Sequence, residues 1–231
     1  MLHIAFAVAA ALALPKYWSV HIDTPRAEVR GEFEKTDVEY FGIQRTIYAD
    51  HHIDWPPVFH FSADGVYYGL RPRAALADIE KPSMVPDDVR KLIAEKTAPV
   101  SERTHPLLRT HHNEIWETDP DTTLVTSAAA PRYMRLRFDD TIPGKEKDYD
   151  AVMKRVRAAC EKANVGILAF FSVYGDGSNR YLFMSDKPID LRALFGRELL
   201  ADWQKCLITS RDVEALPRPD LSGADPAHWL P

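Results

Sequence analysis

Two stretches of this chain share one grammar. Residues 58–62 (VFHFS) and 66–70 (VYYGL) are short runs of β-branched and aromatic residues. Ala63-Asp64-Gly65 between them supplies the Asp-Gly pair that tolerates the positive φ of a tight turn. Residues 167–188 (ILAFFSVYGDGSNRYLFMSDKP) repeat the order: Phe-Ser, Asp-Gly, an aromatic strand, then a proline before a short apolar segment. A hairpin that returns in the same context restricts the fold more than any single residue does. It predicts two like units, residues 16–127 and 131–222, with the Asp64-Gly65 and Asp176-Gly177 turns equivalent.

The flanking segments fit such a unit. Residues 17–22 (YWSVHI) alternate, with Trp18, Val20 and Ile22 on one face and Tyr17, Ser19 and His21 on the other. Residues 133–138 (YMRLRF) do the same, with Met134, Leu136 and Phe138 opposite Tyr133, Arg135 and Arg137. Thr24-Pro25 opens a helical pattern that runs through Val29, Phe33, Tyr40, Ile43 and Ile47. Pro86-Asp87-Asp88 opens a second helix, which Pro99 is expected to end; a further helical piece over 101–111 is interrupted by Pro106. Residues 114–118 and 122–126 read as short strands. In the second unit residues 145–163 carry a clear apolar stripe of Tyr149, Val152, Met153, Val156, Cys160 and Ala163. Residues 191–208 look helical, a strand or loop follows near 208–213, and prolines extend 216–221. Each unit is strand, helix, hairpin, helix, strand, the split βαβ or ferredoxin-like plan. The fold class is α+β, with the two antiparallel sheets packed face to face.

Composition narrows the function. The net charge of −5 argues against a general nucleic-acid surface, which needs concentrated basic charge. Two cysteines, Cys160 and Cys206, are too few for a disulfide framework and are not expected to pair. Residues 4–14 (IAFAVAAALAL) are eleven apolar residues, too short for a membrane span of about 20. Their length suits a secretory signal, and Ala11-Leu12-Ala13 offers a small-x-small cleavage pattern, although Met1-Leu2-His3 lacks Lys and Arg. Residues 1–15 are read as a signal peptide or an apolar N-terminal segment, with secretion or the periplasm favoured over the cytoplasm. Residues 223–231 form a C-terminal tail.

The order of elements resembles the dimeric α/β-barrel superfamily, which includes antibiotic-monooxygenase-like and stress-responsive barrel proteins, here as a tandem duplication. The resemblance covers nearly all of residues 16–222. It implies a pseudo-dimeric barrel whose space between the sheets holds a small organic ligand or haem. Activities in that superfamily are too varied to carry one over.

Candidate site residues follow from strand period. If the faces of Trp18, Val20 and Ile22, of Met134, Leu136 and Phe138, and of Phe59 and Phe61 meet the helices, the opposite faces share the space between the sheets. Those carry His21, His60, Tyr17, Ser62, Tyr133, Arg135 and Arg137. His60 and His21 are the acid/base candidates, because histidine titrates near neutrality. Arg135 and Arg137 would hold a carboxylate, with Tyr17, Ser62 and Tyr133 lining the pocket. The nine histidines show no metal-ligand spacing such as HExxH, so no metal ligand and no cofactor are predicted. The expected function is a small-molecule-binding barrel, read as a cofactor-independent enzyme acting on a small aromatic or carboxylated compound, as a monomer or homodimer. The alternatives are a non-catalytic ligand-binding or interaction protein of the bacterial periplasm, or a haem- or metal-binding barrel.

Overall fold

The computed structural model describes residues 14–55, 58–79, 85–127 and 129–222. The expected signal segment lies almost wholly outside these residues, as does the tail over 223–231. The first half contains β1 (Tyr17–Pro25), α1 (Arg30–Asp50), β2 (Phe59–Ala63), β3 (Val66–Arg73), α2 (Asp87–Thr104) and β4 (Leu108–Thr118). The second repeats the order with β5 (Tyr133–Thr141), α3 (Glu146–Ala163), β6 (Gly166–Tyr174), β7 (Asn179–Ser185), α4 (Leu191–Gln204) and β8 (Leu207–Pro217). A short α5 (Pro219–Ser222) follows. The halves pair as β4-β1-β3-β2 and β8-β5-β7-β6, and β2–β8 and β4–β6 pairing closes an eight-stranded barrel. Among the described residues no helix is long and apolar enough to cross a membrane.

Both hairpins occupy the same place in this topology. Asp64 (φ 50°) and Gly65 (φ 74°) are both left-handed, the conformation of a two-residue turn that matches strand twist. The second hairpin is longer, and β6 runs on to Tyr174, which pairs with Ile115 of β4 and helps to close the barrel. On α3 the buried residues are Tyr149, Val152, Met153, Val156 and Cys160, as the stripe foretold; Ala163, its last member, is exposed. Cys160 and Cys206 are free and buried in the same helix–sheet core.

Several local expectations are corrected. Pro99 lies inside α2 rather than at its end; the helix tolerates one missing N–H while its flanks pack. β4 begins at Leu108, so residues 108–111 are strand and not helix. Residues 122–126 make only an isolated bridge, Leu124 to Ile167. Residues 219–222 are helical rather than extended, because Pro219 stands at the first helical position, where its missing N–H costs nothing.

The largest correction concerns which sheet face is which. Trp18, Val20, Ile22, Phe59 and Phe61 turn into the barrel, where they join Leu136, Leu168, Phe170 and Leu182 from the other half in one core. Trp18 packs edge-on against Phe59 at 5.5 Å and Phe170 at 6.1 Å. An eight-stranded barrel is just wide enough for its side chains to fill it, and these aromatics do. The interior is a core and not a ligand space between sheets. Near one end Arg180, on β7, is 1% exposed and pairs with Glu114 of β4 at 2.6 Å, over the Trp116 ring. That pair joins the two halves.

Candidate functional site

The helices cover the outer face of the barrel, and the halves differ there. In the second half Tyr181 and Phe183 project outward from β7 and pack with Tyr149, Phe195 and Trp203 of α3 and α4. Register identifies their counterparts. Tyr181 pairs with Arg137 as Gly69 pairs with His21, and Phe183 pairs with Arg135 as Arg71 pairs with Ser19. Glycine and arginine thus replace two core aromatics, and the helix–sheet space of the first half stays open. A cavity of about 310 Å³ lies there, lined by β1, β3 and β4 below, by α1 and the end of α2 above, and by Leu221 of α5.

Strand pairing assembles its polar wall. Asp23 lies opposite His111 and His21 opposite Asn113 in the β1–β4 register. The Asp23 carboxylate lies between both imidazoles, with Oδ1 2.7 Å from His111 Nδ1 and Oδ2 3.2 Å from His21 Nε2. The other ring nitrogen of His21 donates to Asn113 Oδ1 at 3.0 Å, and the two imidazoles meet edge to face at 4.6 Å. Burial opposes charge on His21, but its bonds to Asp23 and Asn113 outweigh burial and raise its pKa. Burial likewise opposes charge on Asp23, yet the two histidines draw its pKa below the usual carboxylate range.

Two further groups are displaced strongly. Asp37 on α1 lines the cavity. Burial, reinforced by the negative charge of Asp23, pushes its carboxyl up to about 7. His60 is pushed down to about 3, first by burial and then by the charges of Arg71 and His21. Its ring meets Phe41 at 4.8 Å. A Cβ on Gly69 would come within 2.8 Å of His60 Nε2, so only glycine admits the ring there. At neutral pH His60 is an uncharged wall of the cavity.

The structure therefore divides the residues singled out from sequence. His21 and His60 share the cavity, on the helix side of the sheet and not between sheets. Arg137 is packed under α4, 2.8 Å from Asp139 and stacked on Trp203 at 4.2 Å. Arg135 pairs with Asp212 at 2.8 Å. Tyr133 is exposed. Tyr17 and Ser62 are half-buried and lie away from the lining. Register makes Arg137 and Asp139 the counterparts of His21 and Asp23, but in the second half they are locked by Tyr149 and Trp203, which both donate to Asp139. Sequence reading missed Asp23, Asp37, Gly69, Arg71 and Asn113, and weighed His111 only among histidines that lack metal-ligand spacing. The signal for Asp23 was present, since it continues the alternation of Ser19 and His21. Nothing local announces that His111 pairs with it.

A haem does not suit these residues. Residues 131–222 contain no histidine, and the helix–sheet space of that half is filled. The first-half cavity is near the lower end of the roughly 300–1,000 Å³ of small-ligand pockets, and its wall carries two carboxylates.

No known family profile matches the sequence, and no curated protein matches it. Solved structures do match in fold. A candidate monooxygenase from Lactobacillus acidophilus superposes with a TM-score of 0.55 at 8% identity, over 88% of this chain and 94% of that one. An anthrone oxidase-like protein gives 0.53 at 9% identity, over 87% and 91%. A mutant chlorite dismutase from Candidatus Nitrospira defluvii, in complex with cyanide, gives 0.53 at 9% identity, over 90% and 92%. The likeness is one of fold: the ferredoxin-like barrel of monooxygenase-like and chlorite-dismutase-like proteins.

Proposed function

We propose that the protein binds a small aromatic or carboxylated compound in the first-half cavity and acts on it by acid–base chemistry. The observation that carries this reading is the asymmetry between halves. One helix–sheet space is packed shut, and the other is open and lined by Asp37, Asp23, His21, His111 and Arg71. Phe41 and Tyr40 supply apolar and aromatic walls, and Arg71 supplies a guanidinium for an anionic group. Asp37, titrating at about 7, is suited to give or take a proton at neutral pH. His21 and Asp23 polarise the bound molecule, and His60 shapes the floor. We read the halves as a tandem duplication in which the second kept its core and the first opened a site. Candidate monooxygenases and oxidase-like proteins share the barrel, which agrees with a small organic ligand. One chain completes the barrel, so a monomer suffices for the site.

The test is a calorimetric screen of small aromatic carboxylates, with NMR of the bound compound to detect conversion. Arg71→Met is expected to weaken carboxylate binding about 10- to 100-fold, the loss of a charge-assisted bond. Arg135→Met is expected to leave it unchanged, because Arg135 is held by Asp212 away from the cavity. Asp37→Asn should retain binding and lose conversion. Equal effects of Arg71→Met and Arg135→Met would refute the location of the site.

A further inference from the structure

We propose that His21, Asp23 and His111 form a binding site for one divalent first-row transition-metal ion on the cavity wall. It goes beyond the reading of the cavity as a ligand site and stands or falls separately. One donor atom from each residue lies within 4.8 Å of the others. Ligands around a zinc-sized ion, at about 2.0–2.2 Å from it, sit closer together than that. Small side-chain rotations close the difference, and two of the three side chains are about half exposed and free to make them: 49% for His21 and 47% for His111.

The donor set has the right chemistry. Two imidazoles and one carboxylate with open positions suit zinc or ferrous iron rather than calcium or magnesium, which take oxygen ligands. Asn113 completes the arrangement. Its Oδ1 accepts from His21 Nδ1 at 3.0 Å and so fixes the ring's orientation. On the other side of the ring Nε2 faces Asp23 Oδ2 at 3.2 Å, where a metal ion would take the place of the proton the two share. A ligating histidine whose other ring nitrogen bonds a carbonyl oxygen is the usual outer support of a metal site. A second observation is independent of the triad. Asp37 lines the same cavity without a hydrogen bond or ion pair among the described residues. A carboxyl without a polar partner on that wall would favour a cation nearby. Arg71 lines the same cavity as the three ligands, so an anionic ligand would be held between the metal and its guanidinium.

The ligands come from two strands, Asp23 two residues after His21 and His111 directly opposite Asp23. A spacing rule built for helices and loops does not register that pattern.

Titration of the full chain with Co(II), followed by visible absorption and by displacement with Zn(II), tests the proposal. One equivalent should bind with d–d bands of a low-coordinate site. His111→Ala and Asp23→Asn should each weaken it by more than 100-fold, and Asn113→Ala by about 10- to 100-fold, the usual effect of removing an outer support. His111 is half exposed, so its variant should fold, which circular dichroism checks if Asp23→Asn does not. Absence of saturation at millimolar Co(II), or undiminished binding by His111→Ala, overturns the site and assigns the central cation to a proton. Carboxylate binding to metal-free protein is measured alongside. Metal without carboxylate binding removes the ligand reading alone, and carboxylate without metal removes this proposal alone.

Discussion

Asp37 and His60 sit within one cavity and titrate away from their ordinary values in opposite directions, so each writes its own signature on stability. The folded chain holds the Asp37 proton to about pH 7, whereas an unfolded Asp releases it near 3.9. The stabilising contribution is complete below that lower value and is lost as pH rises through about 7. Asp37→Asn, neutral throughout, should match the parent near pH 4 and exceed it above pH 7 by up to about 4 kcal/mol. Urea unfolding at both pH values reads this, and a constant difference would contradict it. His60 works from the other side. The unfolded imidazole takes a proton below about pH 6.5, but the folded one resists it down to about 3, so stability falls across that window as pH falls. His60→Gln should therefore cost less, relative to the parent, at about pH 4.5 than at about pH 7.

At the scale of elements, α2 carries the clearest local conflict. Pro99 interrupts it by lacking the N–H that would bond the carbonyl of Glu95, and the residue is exposed. Pro99→Ala should raise stability by about 1–3 kcal/mol, seen as a higher urea midpoint with unchanged slope. Ser101 and Thr104, just beyond it, line the cavity. If the break aims that last turn, the stabler variant should also bind carboxylates less well; a stabler variant with unaltered affinity would make Pro99 incidental to the site. α3 shows the opposite case. Its 3.6-residue stripe agrees with its packing, and sequence located it to within a residue.

At the scale of the whole molecule, neither half has a complete interior. Met134, Leu136, Leu168, Phe170, Leu182 and Met184 are covered by residues of the first half. Residues 129–222 produced alone would expose that sheet face and two unpaired edges, β6 and β8. The fragment should associate as a homodimer that closes a barrel with itself, or aggregate. Light scattering after size exclusion decides this, and a folded monomer would show that the barrel core is not what holds the halves together.

Sequence alone determined the strand, helix, hairpin, helix, strand order of each half, both hairpins and the parity of β1, β2 and β5: His21 with Ser19 and Tyr17, Trp18 with Val20 and Ile22. It could not tell which parity faces inward. Strands such as β7 are buried on both faces, on one by barrel closure and on the other by helices, so apolar character marks neither. The aromatic face was assigned to the helices because one helix-covered sheet needs such a face; closure instead sends Trp18, Phe59 and Phe61 inside, where their volume fills the barrel. The meeting of Asp23 with His111 depends on β1–β4 pairing across nearly ninety residues, a contact no local pattern encodes. The open cavity depends on Gly69 and Arg71 standing where the other half has Tyr181 and Phe183, an absence of packing that shows only when both halves are folded and compared.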